Sequence, residues 1–236
     1  MNATAAPLPA QDPRFHYGST VAVGVDLGQS HDPTSIAVIE KVAPEIPADT
    51  HPPKVEALRF AMRSIRPKYR LRLLEQAPLG ESYILQAHRL KRILARAQIA
   101  EHDPLVWVDY TGVGRAVMDI FKQERVPNLR PVTITFNGQE GPDGRGGHSV
   151  PKINLVSRVQ AAMHTGCLAM PDTLPLAKTF RRELLDFRVS YSAVGNATFG
   201  AREGAHDDLI LAVALAMYGL DSNRRVIVEP FPWGKV

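Results

Sequence analysis

Val21-Ala-Val-Gly-Val-Asp-Leu-Gly-Gln29 is a short, β-branched apolar run that stops at a carboxylate and turns at once on a glycine. A run of this length, apolar at nearly every position, fits a strand covered on both faces, with polar residues only where the chain leaves the sheet. Asp26 is thereby delivered to a sheet edge. There it can bind a ligand, or merely cap the turn with its own side chain. The choice depends on whether other carboxylates converge on it.

Leu105-Val-Trp-Val-Asp109 repeats the pattern, followed by Tyr110-Thr-Gly-Val-Gly114 and a helix predicted over 113–124. Gly112-Val-Gly114 lacks the third glycine of a dinucleotide fingerprint. Near the other end, Gly204-Ala-His-Asp-Asp-Leu-Ile-Leu-Ala-Val-Ala-Leu-Ala-Met217 is apolar all round after two aspartates. Such a helix is buried, and its alanines allow close approach to a sheet. One of Asp207 and Asp208 can serve as its N-cap, where the helix dipole favours a carboxylate. Two adjacent acids beside His206 exceed what capping requires.

Between these points the chain alternates strands and helices. Residues 28–34 are turn chemistry and 35–39 a second strand, giving a hairpin with the first. Residues 44–53 hold four prolines and form an extended connection before a third strand at 55–62. Over 82–98, Ile84, Leu85, Leu90, Ile93, Leu94 and Ala97 recur at helical spacing among His88, Arg89, Lys91, Arg92 and Arg96, a basic amphipathic helix. Its charges fit a solvated face or, secondarily, a nucleic-acid surface. A strand at 131–136 leads to 137–149, which holds five glycines and reads as a mobile loop. Pro151 opens a helix to about Thr165, another spans 176–188, and 189–193 with 196–201 form a small hairpin.

Composition bounds the function. The chain has 236 residues, 44% hydrophobic and 22% charged, ordinary for one sizeable core. Lys plus Arg number 28 against 24 Asp plus Glu, giving +4 and a pI near 9.3, a mild lean toward polyanions. The single Cys167 excludes an intramolecular disulfide and any multi-cysteine zinc set, which fits a reducing compartment. No apolar run reaches transmembrane length and the N-terminus lacks signal-peptide character, so a soluble, cytoplasmic protein without membrane partners is expected. Residues 1–18 read as a flexible lead-in, 19–222 as one domain and 223–236 as a tail.

Two acids at strand ends and a third at the start of a buried helix are what hard divalent cations require. Mg2+ and Mn2+ take oxygen ligands, keep several waters, and are held by a few carboxylates with substrate phosphate oxygens. Two such ions about 3.5–4 Å apart activate water and stabilise a leaving oxygen in phosphodiester cleavage. The spacings supply neither a serine nucleophile elbow nor a Cys/His pair.

The order of Val25-Asp26-Leu-Gly28, Asp109-Tyr-Thr-Gly-Val-Gly114 and His206-Asp207-Asp208-Leu209 before an alanine-rich helix resembles the RNase H-like nuclease domain of phage large terminase subunits. It is more distantly similar to RuvC-type resolvases. The resemblance spans about residues 21–220. It implies an α/β RNase H-like fold with a central mixed sheet flanked by helices on both faces. It also implies that Asp26, Asp109 and one of the final pair bind two Mg2+ or Mn2+ ions and cut concatemeric double-stranded DNA during viral genome packaging. Asp208 is the first choice for the third ligand, with Asp207 and His206 as neighbour or alternative. Lys152 at the start of its helix, Arg115 next to the Gly-Val-Gly turn and Arg202 near His206 are candidate phosphate contacts.

One departure narrows this. No Gly-x-x-x-x-Gly-Lys-Ser/Thr occurs, and the only Gly-Lys, Gly234-Lys235, is followed by Val. The chain is therefore expected to be a nuclease without the ATPase motor, either an isolated domain or a separately encoded partner. A packaging ATPase, small terminase subunit and portal are the partners implied, in host cytoplasm if the protein is viral. The alternatives are a junction resolvase of the same fold and a catalytically silent DNA-binding packaging module.

Overall fold

The computed structural model describes residues 16–28, 32–45, 54–55, 65–112, 114–191, 197–201 and 207–222. Its strands are β1 (His16–Asp26), β2 (Ser35–Glu45), β3 (Lys68–Gln76), β4 (Leu105–Asp109), β5 (Leu129–Thr135), β6 (Gly141–Pro142), β7 (His148–Pro151), β8 (Leu168–Ala169), β9 (Phe187–Tyr191) and β10 (Ala197–Ala201). The helices are α1 (Tyr83–Leu94), α2 (Ala97–Ala100), α3 (Gly114–Gln123), α4 (Lys152–His164), α5 (Ala177–Asp186) and α6 (Asp208–Ser222).

Eight strands form one mixed sheet in the order β6-β7-β5-β4-β1-β2-β3-β8. The opening stretch lies at its centre: β1 pairs antiparallel with β2 and parallel with β4. Strands β4, β5 and β7 continue in parallel: α3 crosses over from β4 to β5, and β5 reaches β7 through the short strand β6.

Alternation along β1 divides the core in two. Val21, Val23 and Val25, with Val106 and Val108 of β4, pack under α1, α2 and α3. Ala22 and Trp107 belong to the opposite cluster, built on α4, α5 and α6. Asp26 shares the parity of Ala22, and Asp109 that of Trp107, so both acids face the α6 side.

Helix α6 lies directly on the sheet because small residues permit it. A Cβ on Gly24 would come within 2.0 Å of the Ala212 carbonyl oxygen, and one on Gly219 within 2.1 Å of Trp107 Nε1. The far end is tied by Asp221, whose Oδ1 accepts from Lys41 Nζ and Tyr69 OH, both at 2.7 Å. The helix start is thus fixed over the ends of β1 and β4.

Several expectations change. β1 begins at His16, inside the segment read as a lead-in. The predicted strand at 55–62 lies mostly outside the described residues, and Lys54–Val55 is helical. The third strand is Lys68–Gln76, pairing with β2. Its alternation of Tyr69, Leu71 and Leu73 with Arg70 and Arg72 carries that signal. The glycine-rich 137–149 segment is a built hairpin of β6 and β7, with Asp143 Oδ1 accepting from Arg145 N and Gly147 N. Ile84 and Leu85, predicted for the apolar face of α1, are 49% and 54% exposed, while Gln86 is buried in their place. Gln86 Oε1 accepts from Thr34 Oγ1, and its Nε2 donates to the Glu81 carbonyl.

Candidate active site

The site is built on register. Asp26 is the Cα partner of Asp109 in the parallel β1–β4 pair. Side chains of such partners emerge on one face, with strands about 4.8 Å apart. Both carboxylates therefore stand side by side at the C-terminal edge, beneath the start of α6.

Local hydrogen bonds hold the turns beyond them. Asp109 Oδ1 accepts from Thr111 N at 2.8 Å, and Thr111 Oγ1 accepts from Ile134 N at 2.7 Å. Gly112 completes this turn at φ 83°, where a side chain would be strained. Gly28 serves another end: a Cβ there would meet the Asp32 carbonyl at 2.0 Å, so glycine lets the backbone beyond β1 approach Asp32 closely. Gly28 N donates to Thr34 Oγ1 at 2.9 Å. Gly28 and Gly112 also line a groove of about 440 Å3 that reaches Ser82 and Tyr83 of the α1 side.

Charge shows the convergence of the acids. Asp26 is 8% exposed. Burial first, then Asp109, Asp208 and Asp207, push its carboxyl well above the ordinary value, while Lys152 pulls it back. Burial also raises Asp109, against the hydrogen bonds from Thr111 and the charge of Lys152. The charges of Asp109, Asp207 and Asp208 thus all bear on Asp26.

Lys152 enters this group from the end of β7. Its Nζ lies 2.7 Å from Asp207 Oδ2. The sequence makes it a candidate phosphate contact; in the fold it is, among the described residues, a cation paired with one of the acids. Arg115 lies in the first turn of α3, which follows the β4 aspartate by a short turn. Arg202 and His206 lie outside the described residues.

Sequence reasoning missed Glu183 on α5. It is 6% exposed, and its Oε2 accepts from Leu209 N at 3.1 Å and Ile210 N at 3.3 Å. Those are first-turn donors of α6, the groups an N-cap side chain takes. Burial raises its carboxyl to about 7, opposed by those N–H groups and reinforced by Asp208 and Asp207. Its signal was its place on the apolar stripe Ala177, Phe180, Glu183, all three buried.

Among the described residues, no three Asp, Glu, His or Cys side chains are drawn together tightly enough to enclose an ion by themselves. The donor chemistry nonetheless fits a hard cation, being all carboxylate with mutually repelling charges. Mg2+ needs only one or two protein carboxylates because it keeps several waters and takes substrate oxygens. A complete cage is not required.

No protein-family model matches the chain, and no curated protein matches it in sequence. Solved structures do. The large terminase nuclease from thermophilic phage G20c is 22% identical, with a TM-score of 0.54 over 85% of this chain and 81% of that one. The same nuclease with bound magnesium is 23% identical, with a TM-score of 0.56 over 84% and 80%. The large terminase nuclease domain of Thermus phage P74-26 is 22% identical, with a TM-score of 0.53 over 85% and 78%. The chain therefore has the RNase H-like fold of phage large terminase nuclease domains.

Proposed function

We propose that this chain is a metal-dependent DNA endonuclease acting in viral genome packaging, the nuclease component of a terminase. The observation that carries the reading is the register pair Asp26–Asp109 beneath the aspartate-led start of α6. The likeness to nucleases solved with magnesium and with cobalt supports it. Double-stranded DNA is the substrate under this reading, and a packaging ATPase, small terminase subunit and portal are its partners.

Asp26, Asp109 and Asp208 would hold two Mg2+ or Mn2+ ions. Bound there, the ions supply Lewis-acid stabilisation of phosphoryl oxygens and lower the pKa of water. Asp26 would take the central place, as the register partner of Asp109 on β4 and beneath the start of α6. Thr111 N orients Asp109. Asp207, paired with Lys152, ranks behind Asp208 as a ligand. Lys152 brings positive charge to the same edge, where a phosphodiester must approach.

Incubation of supercoiled plasmid with the protein and Mn2+ tests this, beside Asp26→Asn. Nicking by wild type should fall at least about 100-fold in the variant, more than loss of an outer-shell partner costs. Absence of nicking by wild type across metal concentrations sinks the reading, and equal nicking by both proteins exposes a contaminant. Preferential cutting of four-way junctions over linear duplex would redirect it to a resolvase.

A further inference from the structure

Every α-helix begins with N–H groups that have no partner within the helix. At the start of α6 the obvious acceptors are the helix's own aspartates. The Asp207 carboxylate instead meets Lys152, while its backbone carbonyl accepts from Leu211 N at 3.0 Å. The donors of Leu209 and Ile210 go to Glu183, from a different helix. Glu183 is buried, and it touches the helix one and two residues beyond Asp208.

We propose that Glu183 is a positioning residue of the nuclease site: by capping α6 from α5, it sets where the helix starts and hence where Asp208 stands over Asp26 and Asp109. The inference rests on the nuclease reading above. A helix can be capped by its own first residue at no topological cost, as Ser82 does for α1, where Leu85 N donates to its Oγ. Importing the cap from α5 relieves the leading acids of that duty. It also makes α5 a rigid support for the site, tied to the core through Phe180. Glu183 need not touch the substrate. What it supplies is an acceptor oxygen at a fixed place.

The experiment compares Glu183→Ala, which removes the acceptor, with Glu183→Gln, which keeps one. Mn2+ affinity is measured by calorimetry, and kcat and KM by plasmid nicking. In Glu183→Ala, kcat and Mn2+ affinity should each fall about 10- to 100-fold, the range for loss of an outer-shell support. KM for DNA should stay near wild type, and Glu183→Gln should recover most of both losses. Amide hydrogen exchange should show Leu209 and Ile210 losing protection in the alanine variant alone. If Glu183→Ala does not fold, Glu183→Asp takes its place, its shorter side chain giving the same losses in smaller measure. A folded Glu183→Ala variant, or Glu183→Asp where alanine does not fold, that matches wild type in kcat and Mn2+ affinity overturns the proposal. Glutamine as damaging as alanine overturns it too, since an acceptor would then not suffice. Wild type that neither binds Mn2+ nor nicks DNA overturns the nuclease reading and this inference with it.

Discussion

Helices α1 and α6 begin in different ways. α1 caps itself, with Ser82 Oγ accepting from Leu85 N at 3.4 Å, and its first turn carries no acid. α6 leads with an aspartate, yet its first-turn donors Leu209 N and Ile210 N are taken by Glu183 of another helix. A local cap serves local stability. A cap imported through tertiary structure separates closing the helix end from placing charge there, so acids at that end can face the sheet edge. The bland reading of Asp207 and Asp208 as caps loses its main support at those two donors.

The largest test of this contrast strikes the contact that presses α6 onto the sheet. Gly24→Ala puts a methyl 2.0 Å from the Ala212 carbonyl oxygen and 2.6 Å from Ala216 N, both backbone atoms that cannot move alone. Overpacking of this kind costs about 3 kcal/mol. Urea denaturation should show that loss, and nicking should fall further than stability because the start of α6 shifts off Asp26. A loss of only about 0.5 kcal/mol, typical of exposed positions, would mean the helix rides more loosely than the site requires.

The two helix starts should also respond to pH with opposite sign. Glu183, Asp26 and Asp109 are raised above their ordinary values, first by burial. A carboxyl whose folded pKa exceeds its unfolded one binds protons more tightly in the folded state. Its contribution is present below the unfolded value and lost as pH rises through the folded value, about 7 for Glu183. Glu81, just before α1, is held below its ordinary value by hydrogen bonds from Arg89, so its contribution is lost as pH falls. Amide exchange, corrected for its intrinsic pH dependence, should therefore show the start of α6 loosening between about pH 5 and 8 while that of α1 holds. Mg2+ should cancel the loosening at α6. Loss of protection at both ends in the same direction would break the comparison.

How much of this was legible follows the same division. Asp26 and Asp109 could be read because each ends its own apolar run, a pattern written in consecutive residues. The apolar character of α6 and the alternation of strands and helices were readable for the same reason. Glu183 was not, because it meets Leu209 N only through the packing of α5 on α6, across 26 residues of chain. The sequence marks Lys152 only as a basic residue at a helix start, whereas its pairing with Asp207 depends on the β5–β7 register. The glycines of 137–149 predict a mobile loop because glycine content speaks of permitted conformations, whereas Asp143 decides which one is adopted. Strand β3 carries its signal in the alternation of Tyr69, Leu71 and Leu73 with Arg70 and Arg72, and the β2 pairing makes it plain.

The smallest effect belongs to the self-capped end. Ser82→Ala removes an acceptor whose hydrogen bond, at 3.4 Å, is already long. The cost should lie at the low end for an N-cap, about 0.5 kcal/mol. Plasmid nicking should be unchanged, although Ser82 also lines the groove beside Gly28 and Gly112. That groove makes the test sharper than a stability measurement alone. If Ser82→Ala weakens nicking beyond what its stability loss explains, the α1 end contributes to DNA engagement. The division between a helix end that only packs and one that carries chemistry would then have to be redrawn.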